Sequence, residues 1–426
     1  MILQYLIAFA LPRPHHKFPD TPMNPQIQQA REVATNILNP TPKDLDHGLA
    51  LHTESVVVES YSLGIMAPMD GDRMAAAIES GATNLELQDL GEDMRMTGWA
   101  NDPSLRDEYE EIWKASGVTC SYQNAGEEGN DPLRLIKRLA RHTYVADKMP
   151  DLLKRVTHPD DIVAAKAEGK HCRYLTGNGI PLAGDQVNTQ EELRFIRVFY
   201  QLGVRMMHLT YNRRNPIGDG CGESADAGLS EFGLETIREM NRVGVLIDIA
   251  HSGRQTGLDA ARASERPIVI SHSCAASLNE HIRCKDDETI QAVIDSGGSM
   301  GITNVPHFLG GKGDISAMLD HIDYVARTFG ADHVTIGTDR SYTSHQSAAE
   351  NAKVPKCRQI RDRWEALWPE GSRGTEAYRQ DHQAQSLMWT NWPLITVGLV
   401  QRGYSDEDIR KIIGENILRV SRDVLN

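Results

Sequence analysis

The sequence predicts an α/β fold, a single (β/α)8 TIM-type barrel in which eight parallel strands alternate with helices. From residue 55 onward, short β-branched or apolar runs alternate with longer segments of helical period. Several runs are almost wholly apolar until a polar residue ends them, as in VLIDIAHS, PIVISHS and HVTIGTD. Buried parallel strands have this composition. Barrels of this kind commonly exceed 250 residues as one domain, so a chain of 426 residues does not require several domains.

Eight predicted strands and four predicted crossover helices support this fold. The strands cover residues 55–60, 118–123, 172–177, 204–211, 245–251, 267–272, 299–304 and 333–339. The helices cover residues 190–202, 234–243, 289–296 and 315–329, and a glycine follows each of them. A glycine in that position is typical of a helix that ends and leads into the next strand.

The predicted domain organisation is an N-terminal extension over residues 1–54 and one barrel domain over residues 55–426. A long insertion falls at about residues 64–117, and helical residues from 383 to the end are expected on the outside of the barrel. The apolar stretch 1–11 is about half as long as a bilayer requires. We expect it to pack on the body of the protein rather than to act as a signal peptide.

Charge and cysteine content exclude some functions. The net charge is −14, from 59 acidic and 45 basic residues, which argues against a nucleic-acid partner. No apolar run is long enough to predict a membrane span. The six cysteines form no CxxC pair, which indicates neither a disulfide framework nor a structural zinc knot. A reducing, cytoplasmic setting is therefore expected.

Three polar residues end predicted strands and are candidates for chemistry. His251 ends the fifth strand, His272 the sixth and Asp339 the eighth. In a barrel the carboxyl ends of all strands meet at one concave face, where two imidazoles and a carboxylate can hold a divalent metal ion or move protons. A single histidine at a strand end is more often a packing residue, but three such residues together favour the functional interpretation.

Longer motifs resemble the membrane-dipeptidase family, peptidase family M19. They are KAEGKHCRYLTGNG, YNRRNPIGDGCGE, GLSEFGLETIREMNRVGVLIDIAHSG, PIVISHSCAASLNEHIR, VTIGTD and GYSDEDIRKIIGENILRV, in family order. The resemblance implies a two-zinc barrel of the metal-dependent hydrolase kind that cleaves dipeptides, and a homodimer is in keeping with it. It also implies that His251 and His272 hold one metal, that Arg283 grips a substrate carboxylate and that Asp339 carries a proton.

The sequence departs from the family at the other half of the site. The family's HxD pair falls on Tyr61 and Leu63, and its bridging glutamate falls on Thr176. The histidine of its T-H-N segment, which contacts substrate, falls on Tyr211. Three of five metal ligands are therefore replaced, and we expect one divalent ion, preferably zinc, or none. Glu59 is an alternative ligand, although a carboxylate that hydrogen-bonds a neighbouring loop is the more common role.

Three functions remain open from the sequence. The first is a hydrolase with one metal ion, acting on a small, anionic amide or related substrate that Arg283, Tyr211 and Arg340 help to bind. The second is a non-catalytic protein that binds a small molecule at the barrel mouth. The third is a two-metal dipeptidase that recruits Glu59. The first is favoured, and its substrate is not expected to be an ordinary dipeptide.

Overall fold

The computed structural model describes residues 24–126, 131–182, 184, 188–356 and 365–425. The predicted packing segment 1–11 and Cys357 lie outside these residues. Eleven strands are present within them. They are β1 Val58–Ser62, β2 Gly64–Met66, β3 Cys120–Asn124, β4 Leu153–Val156, β5 His171–Gly177, β6 Val204–His208, β7 Leu246–Asp248, β8 Ile268–Ser273, β9 Ser299–Ile302, β10 Val334–Ile336 and β11 Ser341–Thr343.

Eight of the strands form a parallel barrel. Their order is β1-β3-β5-β6-β7-β8-β9-β10, and each neighbouring pair is parallel. The first and last strands also contact each other, and Thr335 Oγ1 donates a hydrogen bond to Ser60 Oγ at 3.3 Å across this seam. The sheet is therefore nearly closed, which confirms the predicted (β/α)8 fold.

Helices surround this barrel. They are α1 Pro25–Leu38, α2 Pro42–Glu54, α3 Gly71–Glu79, α4 Asn84–Asn101, α5 Arg106–Ser116, α6 Pro132–Lys148, α7 Pro159–Ala167, α8 Thr189–Gln201, α9 Glu231–Val243, α10 Arg254–Ala263, α11 Asp287–Asp295, α12 Pro306–Leu309, α13 Ile315–Phe329 and α14 Ser347–Ala352. Further helices at Asp381–Ser386, Trp392–Gln401, Asp406–Arg410 and Asn416–Val424 complete the described chain. No helix among the described residues is both long and apolar enough to cross a membrane.

Local sequence explains where the crossover helices begin and end. Ser230 caps the N-terminus of α9 by accepting a hydrogen bond from the Gly233 N–H at 3.0 Å. Gly244 ends the same helix with a φ of 87°, a left-handed conformation that favours glycine. The chain then enters β7 directly, so that the helix and strand lie antiparallel and pack together.

The described part of the predicted extension and the insertion both have regular structure. Helices α1 and α2 contact the C-terminal helices, and His52 of α2 hydrogen-bonds Thr396 at 2.8 Å and the Ser116 carbonyl at 2.9 Å. The insertion contains β2 and helices α3 to α5. Strand β2 pairs in parallel with β11, forming a small second sheet beside the barrel. Neither this sheet nor β4, which pairs with β5, was predicted from the sequence.

Candidate metal centre at the barrel mouth

His251 and His272 meet at the carboxyl ends of neighbouring strands. His272 lies in β8, and His251 lies on the turn three residues beyond β7. Both side chains are buried, and their Nε2 atoms are 3.0 Å apart. Two nitrogens that bind one tetrahedral zinc ion at about 2.0–2.1 Å lie roughly 3.3 Å from each other. The pair therefore has nearly the spacing of two ligands of one ion.

Hydrogen bonds on the far side of each ring fix which nitrogen carries the proton. His251 Nδ1 lies 2.7 Å from Asn212 Oδ1, an acceptor, so the proton is on Nδ1. His272 Nδ1 lies 2.8 Å from Ser271 Oγ, whose own proton is donated to Asp248. His272 therefore also carries its proton on Nδ1. Both Nε2 atoms then present lone pairs toward each other, an arrangement that a bound cation stabilises.

Burial sets the charge of these two rings. Removal from water, followed by the nearby Arg283 guanidinium, holds the pKa of His251 well below its ordinary value. The same two causes, in the same order, lower the pKa of His272. Both imidazoles are therefore neutral at physiological pH, which is the state that binds a metal ion.

His208 completes a cluster of three histidines, and it was missed at the sequence level. It ends β6, is fully buried, and offers a ring nitrogen in a group whose ligand atoms all lie within 4.8 Å of one another. Its Nε2 lies 2.6 Å from Asp248 Oδ2 in an ion-pair contact, and neither ring nitrogen has a well-aligned hydrogen-bond partner among the described residues. A carboxylate behind a histidine is the usual support of a metal ligand. The available signal was a histidine inside an otherwise apolar strand, MMHLT.

Asp248 is the shared support of this cluster. It is fully buried in β7, accepts hydrogen bonds from the backbone N–H and hydroxyl of Ser271, and lies beside His208. Burial alone would raise the pKa of Asp248, but His208 and Ser271 outweigh it and the pKa is lowered. One carboxylate therefore orients two of the three histidines, His208 directly and His272 through Ser271.

Arg283 is buried beside the histidine pair. Its Nη1 donates to the Ala250 carbonyl, and its Nη2 donates to His251 Nε2 at 3.2 Å and to the His272 carbonyl at 3.4 Å. The Phe308 ring lies 5.5 Å from the guanidinium. The sequence predicts that Arg283 holds a substrate carboxylate, but here it donates to a candidate metal ligand. An ion on His251 Nε2 and this hydrogen bond exclude each other, because both need the same lone pair.

Asp339 follows β10 in a strained conformation, with a φ of 54°. Burial raises the pKa of its carboxyl to about 6, although Arg283, His208 and Arg340 oppose the shift. The preceding residue, Thr338, is held by Glu59, which accepts from the Thr338 N–H at 3.2 Å and from its hydroxyl. Trp389 Nε1 donates to the same carboxylate at 2.7 Å. Glu59 thus anchors the strained turn rather than joining the histidine cluster.

The residues that replace the family ligands have other contacts. The Tyr61 hydroxyl donates to Asn178 Oδ1 at 2.6 Å, and its ring stacks on His272 with centroids 3.8 Å apart. Thr176 is buried, and its hydroxyl has no hydrogen-bond partner among the described residues. The Leu63 N–H donates to the Arg340 carbonyl at 3.2 Å. Within the described chain, the group of candidate metal ligands at the mouth consists of the three histidines and includes no carboxylate.

The two remaining predicted substrate ligands lie around the cluster. The Tyr211 ring stacks on His251 with centroids 4.1 Å apart, and Trp368 stands edge-on to Tyr211 at 6.5 Å. Arg340 follows Asp339 directly, and burial lowers the pKa of Arg340 while the Asp339 charge opposes the shift. Trp368 was not singled out from the sequence, because it lies far along the chain from every motif.

A parallel barrel with clustered histidines at its mouth defines the class of TIM-barrel metal-dependent hydrolases. Residues 113–356 match the family model described as membrane dipeptidase (peptidase family M19). The match covers more than half of the chain, and the protein belongs to this family. The predicted resemblance is thereby confirmed.

Known relatives agree with this assignment. The chain is 28% identical over 305 residues to an uncharacterized dipeptidase of Schizosaccharomyces pombe, covering 70% of this chain and 62% of the relative. It is 25% identical over 280 residues to the dipeptidase tcpJ of Claviceps purpurea, covering 64% and 56%. A solved amidohydrolase from Pseudomonas aeruginosa is 25% identical, with a TM-score of 0.64 and coverage of 88% and 98%. The matched region spans about three fifths of the length of the two curated relatives.

Proposed function

We propose that the protein is a hydrolase of small, anionic amides that uses one divalent metal ion, preferably zinc, rather than the two of its family. The proposed ligands are His251, His272 and His208. The observation that carries the proposal is the pair of Nε2 lone pairs facing each other at 3.0 Å between neutral, buried imidazoles. Nitrogen ligands of this kind suit zinc among the common divalent ions.

The donor set fits a single ion. Three imidazoles can be ligands, and partners on the far side of each ring already hold it in place: Asn212, Ser271 and Asp248. When bound, a divalent ion of this kind lowers the pKa of water toward neutrality and polarises a carbonyl oxygen. A second ion lacks ligands, because Tyr61, Leu63 and Thr176 offer no charge.

The chain's own residues supply proton transfer and substrate orientation. Asp339, with a pKa of about 6, is mostly ionised at neutral pH and can accept a proton from the attacking water. It then returns that proton to the nitrogen of the departing amine. Arg340 lies beside Asp339 and supplies positive charge for an anionic group of the substrate. The Tyr211 hydroxyl can donate to a substrate oxygen, while its ring stacks on His251.

A second candidate function is binding without catalysis. The observation that favours it is the hydrogen bond from Arg283 Nη2 to His251 Nε2, which occupies the lone pair that an ion needs. In this alternative the guanidinium permanently replaces the metal ion, and the barrel mouth holds a small anion against positive charge. A metal-dependent reaction, abolished by chelation and restored by zinc, distinguishes the two functions.

We also propose a reducing, cytoplasmic setting. The five described cysteines, Cys120, Cys172, Cys221, Cys274 and Cys284, are all free thiols. This supports the setting because secreted proteins of oxidising compartments more often carry disulfides.

The test is an assay of zinc-loaded protein on two matched substrate panels, L,L and L,D dipeptides and N-acyl amino acids. We expect dipeptide turnover far below the roughly 10 per second that is usual for enzymes. We expect faster hydrolysis within the N-acyl panel, and its loss in an Asp339→Asn variant that still binds zinc. Rapid dipeptide turnover, or activity that persists in Asp339→Asn, contradicts the proposal.

A further inference from the structure

A small cavity lies outside the barrel, between the second sheet and the outer helices. Ile65 and Met66 of β2 and Met96 of α4 form an apolar wall. Arg173 of β5, Arg138 and His142 of α6 and Gln123 of β3 form the polar wall. The cavity is partly open, and its volume of about 10 Å³ gives room for a single particle of about the size of a water molecule.

The Arg173 side chain brings a charge into this wall, and within the part of the chain that the structure describes it has no carboxylate partner. Arg173 is 4% exposed, its Nη2 donates to the Tyr109 hydroxyl at 2.7 Å, and its Nη1 lies 3.3 Å from His142 Nδ1. Its Nε–H has no hydrogen-bond partner among the described residues. A buried guanidinium is always charged, and a buried charge without a counter-ion is strongly unfavourable.

The described neighbouring side chains are occupied with one another. Arg138 and Arg141 of the same helix α6 already share the carboxylate of Glu92, at 3.2 and 3.4 Å. Burial, followed by Arg173 and Arg138, holds the pKa of His142 well below its ordinary value, so this ring is neutral. Its Nδ1 accepts from Arg173, which leaves the proton on Nε2, and a hydrogen bond to the backbone of Asn124 holds this ring in place.

We propose that this cavity binds a monatomic halide, chloride under physiological conditions, with Arg173 as its counter-charge. The unpartnered Nε–H of Arg173 is a donor, Arg138 adds positive charge to the lining, and the methionine and aliphatic wall suits a weakly hydrated anion. A bound halide also steadies β2, whose partner β11 begins two residues after Asp339, so the site supports the segment that carries the proposed base.

The direct test uses wild-type crystals grown without halide and soaked in sodium bromide, with anomalous scattering to locate bromide. We expect one ordered bromide against Arg173. Density that refines as water, with no anomalous signal in the cavity, overturns the proposal. Because this measurement uses the unaltered chain, it does not depend on any variant folding.

A solution test compares melting temperatures in sodium chloride and in sodium gluconate at equal ionic strength. We expect a saturable rise with chloride in the wild type, since a ligand that binds only the folded state stabilises it. Arg173→Met should abolish the rise. Arg205→Met is the matched control, because Arg205 is a buried strand arginine whose partners are the Thr157 and Tyr200 carbonyls, and it should keep the full rise. Equal melting temperatures in the two salts, or an unchanged rise in Arg173→Met, contradict the proposal.

Discussion

The two halves of the barrel mouth differ in what their side chains do. On the side of β6, β7 and β8, three imidazoles converge, and each has a polar partner that fixes its orientation. On the side of β1 and β5, where the family resemblance implies a second metal ion, Tyr61 stacks on His272 and hydrogen-bonds Asn178, and Leu63 and Thr176 offer no charged ligand. One half holds the ligands of the proposed ion, and the other half contains none of the ligand types that the family resemblance implies there.

The difference indicates remodelling rather than random loss of ligands. Tyr61 does more than replace a histidine, because its ring stacks on His272 at 3.8 Å and its hydroxyl is anchored to Asn178. His208 gives the remaining half a third nitrogen, and Asp248 supports it at 2.6 Å. A site that had merely decayed would not be expected to place a buried carboxylate behind a third histidine, since burying both groups is costly unless they are paired.

The largest expected loss of activity comes from changing a histidine on the β6, β7 and β8 side of the mouth. His251→Ala removes a central ligand, and we expect loss of bound zinc and of all hydrolysis. The loss should exceed the roughly 100-fold that removal of a supporting residue costs. His52→Ala is a matched control, because His52 is equally buried but hydrogen-bonds Thr396 and Ser116 far from the mouth. Activity that survives His251→Ala would show that the three histidines do not take part in the reaction.

A smaller effect is expected at the carboxylate behind the histidines. Asp248→Asn keeps the shape but removes the charge that orients His208 and, through Ser271, His272. We expect zinc affinity to fall about 10–100-fold. Competition with a chromogenic chelator measures this affinity. An unchanged affinity would show that His208 is a packing residue and that two histidines alone hold the ion.

At the other half, Glu59→Gln tests whether the carboxylate is structural. The amide nitrogen of glutamine would face one of the donors that now point at Glu59, and we expect a loss of about 1–3 kcal/mol in the free energy of unfolding. Burial raises the pKa of Glu59 from 4.5 to about 7, so the folded state holds this proton more tightly than the unfolded chain. Wild-type stability should therefore fall as pH rises across that interval, and the variant should lack this slope. A loss of zinc without a loss of stability would instead make Glu59 a ligand.

The mildest expected effect is a shift of the pH profile. If Asp339 is the base, kcat/KM should rise with pH through about 6, because the carboxyl must lose its proton to accept another. Arg340 lowers the pKa of Asp339, so Arg340→Met should move this limb to higher pH. If kcat/KM instead rises near the ordinary pKa of an aspartate, or if Arg340→Met leaves the pH of this rise unchanged, the base is another group.

The sequence predicted the fold more completely than the site. All eight barrel strands were located because each is an apolar run between helical segments, although β7 and β10 end three residues before His251 and Asp339. The missed strands are short: β2 and β11 have three residues each and pair only with each other, and β4 has four residues and pairs only with β5. The sequence does not single out His208, because the predicted strand continues to Tyr211 and His208 lies inside it rather than at its end. The Arg283 hydrogen bond to His251 is a tertiary contact that no local pattern encodes.

The number of zinc ions per chain tests the central claim most directly. Purified protein is equilibrated with excess zinc, freed of unbound metal and analysed by elemental mass spectrometry, with His251→Ala as the blank. The combined variant Tyr61→His, Leu63→Asp and Thr176→Glu, which restores the family's ligand types at the other half, should approach two ions per chain. For the wild type we predict one ion per chain above the blank. Two ions would show that the β1 and β5 side still binds metal, and none would show that Arg283 has replaced the ion.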